Sequence, residues 1–275
     1  MDRRRVLQAA LGTAFIHSPM SVTAEVRKSF DELFAEAKTA PREFETVRSE
    51  KEFFDPFNSK AAAPRVTPSN RKVAQKAIEL IVFFEVTSEA NYRKKLTRPI
   101  WPEGQSGVTI GIGYDLGAVR PAWLREDWNG LLAPAMIKVL EPACQKSGTN
   151  AAEITPSLQH VEVSWPNAMD QFEKRLLPLY VGQTLIAVPL ANDLSDTSLG
   201  ALVSLVYNRG ANFTSTEPKR REMVKIKDAL ASRDYESIPQ LIRDMKWIWN
   251  YKKYPGLHKR RDLEAALFEE GIAKS

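Results

Sequence analysis

The stretch Gly107-Val108-Thr109-Ile110-Gly111-Ile112-Gly113-Tyr114-Asp115-Leu116-Gly117 sets Val108, Ile110 and Ile112 in alternation with Thr109, Gly111 and Gly113. That period predicts a strand with one buried face. The other face carries a hydroxyl and two glycines, and a glycine inside a strand usually marks a bulge or the close approach of a ligand. Asp115 comes as the strand runs out. Upstream, Val73 to Phe84 is almost continuously apolar and predicts a largely buried helix, with Thr67-Pro68-Ser69 as its cap region. Glu85 directly follows Phe83-Phe84, the most hydrophobic point of that segment. A carboxyl held against aromatic rings is disfavoured in its charged form, which suits a general acid. A glutamate in a last helical turn also opposes the helix dipole, so it needs another reason to be there. A carboxyl, a threonine, a bare strand face and a second carboxyl are the parts of a sugar-cleaving cleft.

The remainder reads as helices, giving an α+β architecture that is mainly α with a small sheet. Asn167 to Ala187 spaces Met169, Phe172, Leu176, Leu177 and Tyr180 among charges, after Trp165-Pro166. Ser195-Asp196 caps a segment running to Tyr207, and Gly210 supplies its stop. Ile226 to Leu230, Ile238 to Trp249 and Leu257 to Phe268 complete the set. Trp247, Trp249 and Tyr251 fit a core role better than stacking on sugars. Arg260, Arg261 and Glu264 fit an ion-pair network bracing the final helix.

Composition excludes several chemistries. Cys144 is the sole cysteine, which rules out a multi-thiolate zinc site and any disulfide within the chain; it reads as a helix core residue. His17, His160 and His258 are scattered, and no HExxH, Walker loop or Gly-x-Ser-x-Gly elbow occurs. The glycines from Gly111 to Gly117 are one residue too widely spaced for a dinucleotide fingerprint, and Asp115 sits where phosphate would approach. No metal and no organic cofactor is expected, and nothing has the pattern of a nucleic-acid module.

The N-terminus carries Arg3-Arg4-Arg5-Val6-Leu7, a short apolar stretch from Ala9 to Ile16, and Val22-Thr23-Ala24. This is the order of a basic region, an apolar region too short to span a bilayer, and a small-residue cleavage site. The paired arginines resemble a twin-arginine export signal over residues 1–24, implying a periplasmic or secreted protein without a membrane span once matured. A cytosolic or amphipathic tail is the alternative. Removing three arginines and Asp2 would bring the net charge from +5 to +3. A mild basic excess suits an anionic wall polymer, and equally a solvated surface. Residues 25–67 read as a short docking helix, with Val26, Phe30, Leu33 and Phe34 at helical spacing, followed by a linker with Pro41, Pro56 and Pro64. One globular domain then covers 68–272.

Within that domain, Glu85, Tyr92 and Thr109-Ile110-Gly111-Ile112-Gly113 resemble the active-site segment of T4-type phage lysozymes. In that family a Glu ends the first helix and a Thr heads a similar strand. Leu199 to Gly210 (LGALVSLVYNRG) resembles the family's central helix, and Gly256 to Phe268 (GLHKRRDLEAALF) its closing helix. Extra sequence intervenes between about 118 and 190. The resemblance is closest to the pesticin-like bacterial muramidases, in which the second carboxylate follows the Thr-headed strand. It implies a lysozyme-like fold with a small antiparallel sheet beside the catalytic helix. The implied activity is hydrolysis of the β-1,4 bond between N-acetylmuramic acid and N-acetylglucosamine in peptidoglycan.

Two carboxyl groups divide that work, one protonating the leaving oxygen and the other activating water or attacking carbon. Glu85 suits the acid. For its partner, Asp115 at a strand end is better fixed than Glu103 in the loop Leu96 to Ser106, although Glu103 lies between Tyr92 and Thr109 as in the phage enzymes. The Thr109 hydroxyl can both donate to and accept from a water. Resemblance to the phage enzymes implies inversion. Tyr92, Glu103, Tyr114 and Asn208 are expected to border the glycan; Asn208 equally well caps its helix. A lytic transglycosylase and a non-catalytic wall-binding protein on the same frame are the alternatives. An antibacterial toxin of the same chemistry would add an immunity or inhibitor protein as partner.

Overall fold

The apolar segment before Glu85 forms helix α2 (Gln75–Val86) in the computed structural model, which describes residues 27–40 and 65–273. Seven of its twelve side chains are buried, including Phe83, Phe84 and Glu85 itself. The helix starts later than the sequence suggests. Ala74 occupies the cap position without a side-chain hydrogen bond, while the Ser69 hydroxyl accepts from the Arg71 amide further upstream. Ser88 caps the next helix, α3 (Glu89–Lys95), by accepting from the Asn91 amide.

The long strand expected from the alternation is instead a hairpin. Strand β1 is Thr109–Ile110 and β2 is Tyr114–Asp115, antiparallel, with Thr109 opposite Asp115 and Ile110 opposite Tyr114. Gly111 and Gly113 lie in the left-handed region at φ of 58° and 69°, so the two glycines make the turn rather than bare a strand face. Val108, Ile110 and Ile112 are buried as the alternation requires. The burial pattern was legible; the glycines' backbone role was not.

Beyond the hairpin the chain is helical: α4 (Pro121–Trp128), α5 (Pro134–Leu140), α6 (Thr149–Ile154), α7 (Trp165–Gln171) and α8 (Leu177–Ala187), the last two joined by a π-helical turn at Phe172–Leu176. Four further helices follow: α9 (Asp196–Arg209), α10 (Arg221–Ser232), α11 (Ile238–Asp244) and α12 (Pro255–Ile272). The whole is mainly helical with one small antiparallel sheet. Cys144 is buried as expected, but in the turn after α5 rather than inside a helix.

Helix α9 is the centre. Every residue from Ser198 to Arg209 is buried, as befits a helix surrounded on all sides. Its neighbours are α2, α8 and α12. Ser195 caps it and Gly210, at φ 72°, ends it. Gly200 lets α2 approach: a β-carbon there would lie 2.4 Å from that of Ala77.

Ahead of the domain, α1 (Phe30–Thr39) is closed by a capping box between Ser29 and Glu32. Its buried Phe30, Phe34 and Ala37 face α12 and α2, with Phe34 edge-on to Phe83 at 5.4 Å. Lys76 of α2 bridges Asp31 of α1 and Glu270 of α12. The expected docking helix is therefore part of the core. The expected export signal and residues 41–64 of the linker lie outside the described residues.

Candidate active site

Glu85, Thr109 and Asp115 line one open pocket of about 440 Å³, counting the part open to solvent. The last turn of α2 supplies Glu85, and the hairpin supplies Thr109 and Asp115 from directly paired strands. Opposite polarity comes from Leu96, Ile100 and Pro102, while Ser106 adds a hydroxyl. Gly111 and Gly113 line the pocket with backbone only.

Each polar group is held by identifiable contacts. Asp115 accepts from the Gly117 amide at 2.7 Å and the Gly107 amide at 3.2 Å, one on each carboxyl oxygen. A carboxylate takes two such donors without giving up all its lone pairs. The Thr109 hydroxyl donates to the Gly107 carbonyl at 3.3 Å. Its backbone also exchanges both hydrogen bonds with Ile100, at 2.7 and 3.0 Å, which ties the apolar wall to the hairpin.

Glu85 is 7% exposed, and its Oε1 lies 3.6 Å from Nη1 of Arg260 on α12. The apolar setting expected of it is thus only half the account. The Arg260 guanidinium also covers the Phe84 ring at 4.8 Å, donates through Nε to Glu264 at 3.0 Å, and donates through Nη2 to the Ser204 carbonyl at 3.0 Å. Arg261 pairs with Glu264 at 2.8 Å and donates to the Asn208 side-chain oxygen at 3.1 Å. Two buried guanidiniums therefore meet two buried carboxyls, Glu85 and Glu264, which is what makes their burial sustainable. The bracing network expected of Arg260, Arg261 and Glu264 is present, and it extends to the site.

Four residues expected to border a substrate stand elsewhere. Tyr92 is fully buried, donates its hydroxyl to the Val163 carbonyl at 2.9 Å and packs edge-on to Trp165. Tyr114 is buried on the face of β2 away from Asp115, donating to Asp127 at 2.7 Å. Burial pushes both phenols up, so both are protonated donors at neutral pH. Asn208 is buried against Arg261 rather than lining the pocket. Glu103 is exposed in its loop at φ 74° and does not line the pocket either. Trp249 is core, whereas Trp247 and Tyr251 are 50% and 60% exposed, so only the first fits the core role expected of all three.

The sequence after residue 118 does not line the pocket but braces the segments that do. The Val163 amide donates to Thr97, the Gln159 side chain to Pro99, the Gln145 amide to Leu116 and the Gly148 amide to Ser106. None of these pairings has a local sequence signal, because each joins segments far apart in the chain. Arg260 was expected in the bracing network from its spacing to Glu264 on a helix, but its place beside Glu85 had no local signal.

Among the described residues, no group of three or more His, Cys, Asp or Glu side chains is placed to hold a metal ion, and no helix is long and apolar enough to cross a membrane. No protein-family model matches the chain, and no curated protein matches it.

Proposed function

We propose that this pocket hydrolyses the β-1,4 glycosidic bond of peptidoglycan between N-acetylmuramic acid and N-acetylglucosamine. The observation that carries the reading is the placing of Glu85, Thr109 and Asp115 on one pocket, from two elements well separated in sequence. Glycoside cleavage needs two carboxyl groups flanking the bond, and a third group that orients water improves the attack.

In this scheme Glu85 protonates the leaving oxygen. Its carboxyl sits in a buried setting, and Arg260 fixes its direction and stabilises the carboxylate left after proton transfer. Asp115, held in place by two amide donors, accepts the proton of the attacking water while Thr109 accepts from or donates to that water. The apolar wall of Leu96, Ile100 and Pro102 accommodates the sugar's carbon face and acyl methyl groups. An exported protein that meets the wall after processing accords with the N-terminal sequence.

Digestion of purified sacculi with product analysis by mass spectrometry tests the reading. Muropeptides with reducing ends are expected, and Glu85→Gln should abolish their release while leaving the circular dichroism spectrum intact. Anhydro-muropeptides would assign a transglycosylase instead, and sedimentation with sacculi without soluble products would assign a binding protein.

A further inference from the structure

We propose that Asp127 and Trp128, at the end of α4, are positioning residues that grip the hairpin and hold the Thr109–Asp115 wall of the pocket in place. Its importance for cleavage rests on the function proposed above; the grip itself does not.

Two adjacent side chains reach the hairpin at two points. Asp127 is 2% exposed and takes the Tyr114 hydroxyl at 2.7 Å. Trp128 is fully buried, stands edge-on to the Tyr114 ring at 5.6 Å and 89°, and closes over the turn at Gly111. A β-carbon at Gly111 would come within 3.0 Å of the Trp128 ring. Tyr114 precedes Asp115 in β2, and in a strand successive side chains point to opposite faces. Tyr114 is therefore anchored inward to α4 while Asp115 is presented to the pocket. Ile110, its partner across the ladder, precedes the gripped turn and follows Thr109.

A ladder two residues long holds little order by itself. The hydrogen bond from Tyr114 ends on a carboxylate, which makes it stronger than a neutral one. The carboxylate is in turn paired with Arg65, whose other nitrogen bonds Glu126 at 3.1 Å. Burial pushes the Asp127 carboxyl up, and the bonds from Arg65 and Tyr114 offset this only in part. Arg65 lies at the first described residue after the 41–64 segment, and its guanidinium covers Trp123 of α4 at 5.5 Å. The chain entering the domain is thereby fastened to the same helix that fastens the hairpin.

Amide hydrogen exchange on the full chain tests this independently of activity. In Tyr114→Phe and Asp127→Ala, the amides of Thr109, Leu116 and Gly117 should exchange about tenfold or more faster, since a hydrogen bond to a charged group is lost, while amides of α9 stay within about twofold. Asp127→Asn, which keeps an acceptor for the hydroxyl, should bring the hairpin most of the way back. Arg125→Gln, an exposed α4 variant, should leave it unchanged. On peptidoglycan, Tyr114→Phe should lower kcat about tenfold with KM within about twofold, as expected of a misplaced catalytic group. Hairpin exchange that is unaltered, exchange that rises equally throughout the chain, or an Asp127→Asn variant as loose as Asp127→Ala would overturn the proposal. A wild-type chain without activity on sacculi would overturn the proposed function and leave the exchange result to decide the grip.

Discussion

Thr109 and Asp115 face each other directly across a ladder of only two residue pairs, and both line the pocket that Glu85 enters from helix α2. The turn between them is just Gly111-Ile112-Gly113, so the hydroxyl and the carboxylate share one short hairpin. The loop carboxyl of Glu103 has no such anchorage.

That relationship decides which acid should partner Glu85. Asp115→Asn should lower turnover on sacculi by about a hundredfold or more, because an amide cannot take the proton from water. Glu103→Gln should change turnover less than about twofold, as expected for an exposed loop substitution. Steady-state release of soluble muropeptides measures both. A severe loss in Glu103→Gln with near-normal Asp115→Asn would reverse the assignment.

Arg260 should be more costly to remove than its distance from bulk solvent suggests. Arg260→Met removes the guanidinium beside Glu85 and leaves Glu264 with one partner fewer, all at buried positions. Breaking a buried pair from one side typically costs about 3–5 kcal/mol. Urea denaturation at neutral pH should show a loss of that size, and a loss below about 1 kcal/mol would mean that the network is solvated in solution.

The approach of α2 to α9 is equally specific. Gly200→Ala would place a methyl 2.4 Å from the Ala77 β-carbon, with Val73 also nearby. Overpacking of this kind costs about 1–3 kcal/mol. Ala77→Gly in the same chain should recover part of it, since the clash is between those two atoms. Thermal unfolding of the two single variants and the double variant measures the coupling.

Acid should weaken the contact between α11 and α12. Burial pushes the Glu269 carboxyl up, but the bidentate Arg243, at 2.7 Å on each oxygen, and Arg27 beyond it more than reverse this, so the net direction is down. A carboxyl held lower in the fold than in the unfolded chain adds stability above the unfolded value, about 4.3, and loses it as pH falls through the folded value. The stability of Glu269→Gln should therefore lie below wild type at neutral pH and converge with it in acid. Parallel curves down to pH 3 or so would contradict the pairing.

The legible parts of this protein were those governed by short-range chemistry. Ser195 and Gly210 marked the ends of α9, and the spacing of Phe30 and Phe34 marked the buried face of α1. The buried Val108, Ile110 and Ile112 were evident from alternation. Gly111 and Gly113 were visible but ambiguous, because a glycine permits both a bare strand face and a left-handed turn. Tyr92, Tyr114 and Asn208 sit close in sequence to pocket or helix-end positions, yet their side chains turn into the core towards Val163, Asp127 and Arg261.

The sequence by itself determined that the segments around α2, α8, α9 and α12 are helical, that Ser195 and Gly210 bound α9, which faces are apolar, and that a carboxyl stands at the end of a hydrophobic helix. Those properties depend on residues within a turn or two of one another. Only the tertiary structure decided that Glu85 meets Arg260, that Asp115 rather than Glu103 lines its pocket, and that α4 grips the hairpin. Each of these joins side chains from separate elements, whose meeting depends on how helices pack and not on any local periodicity.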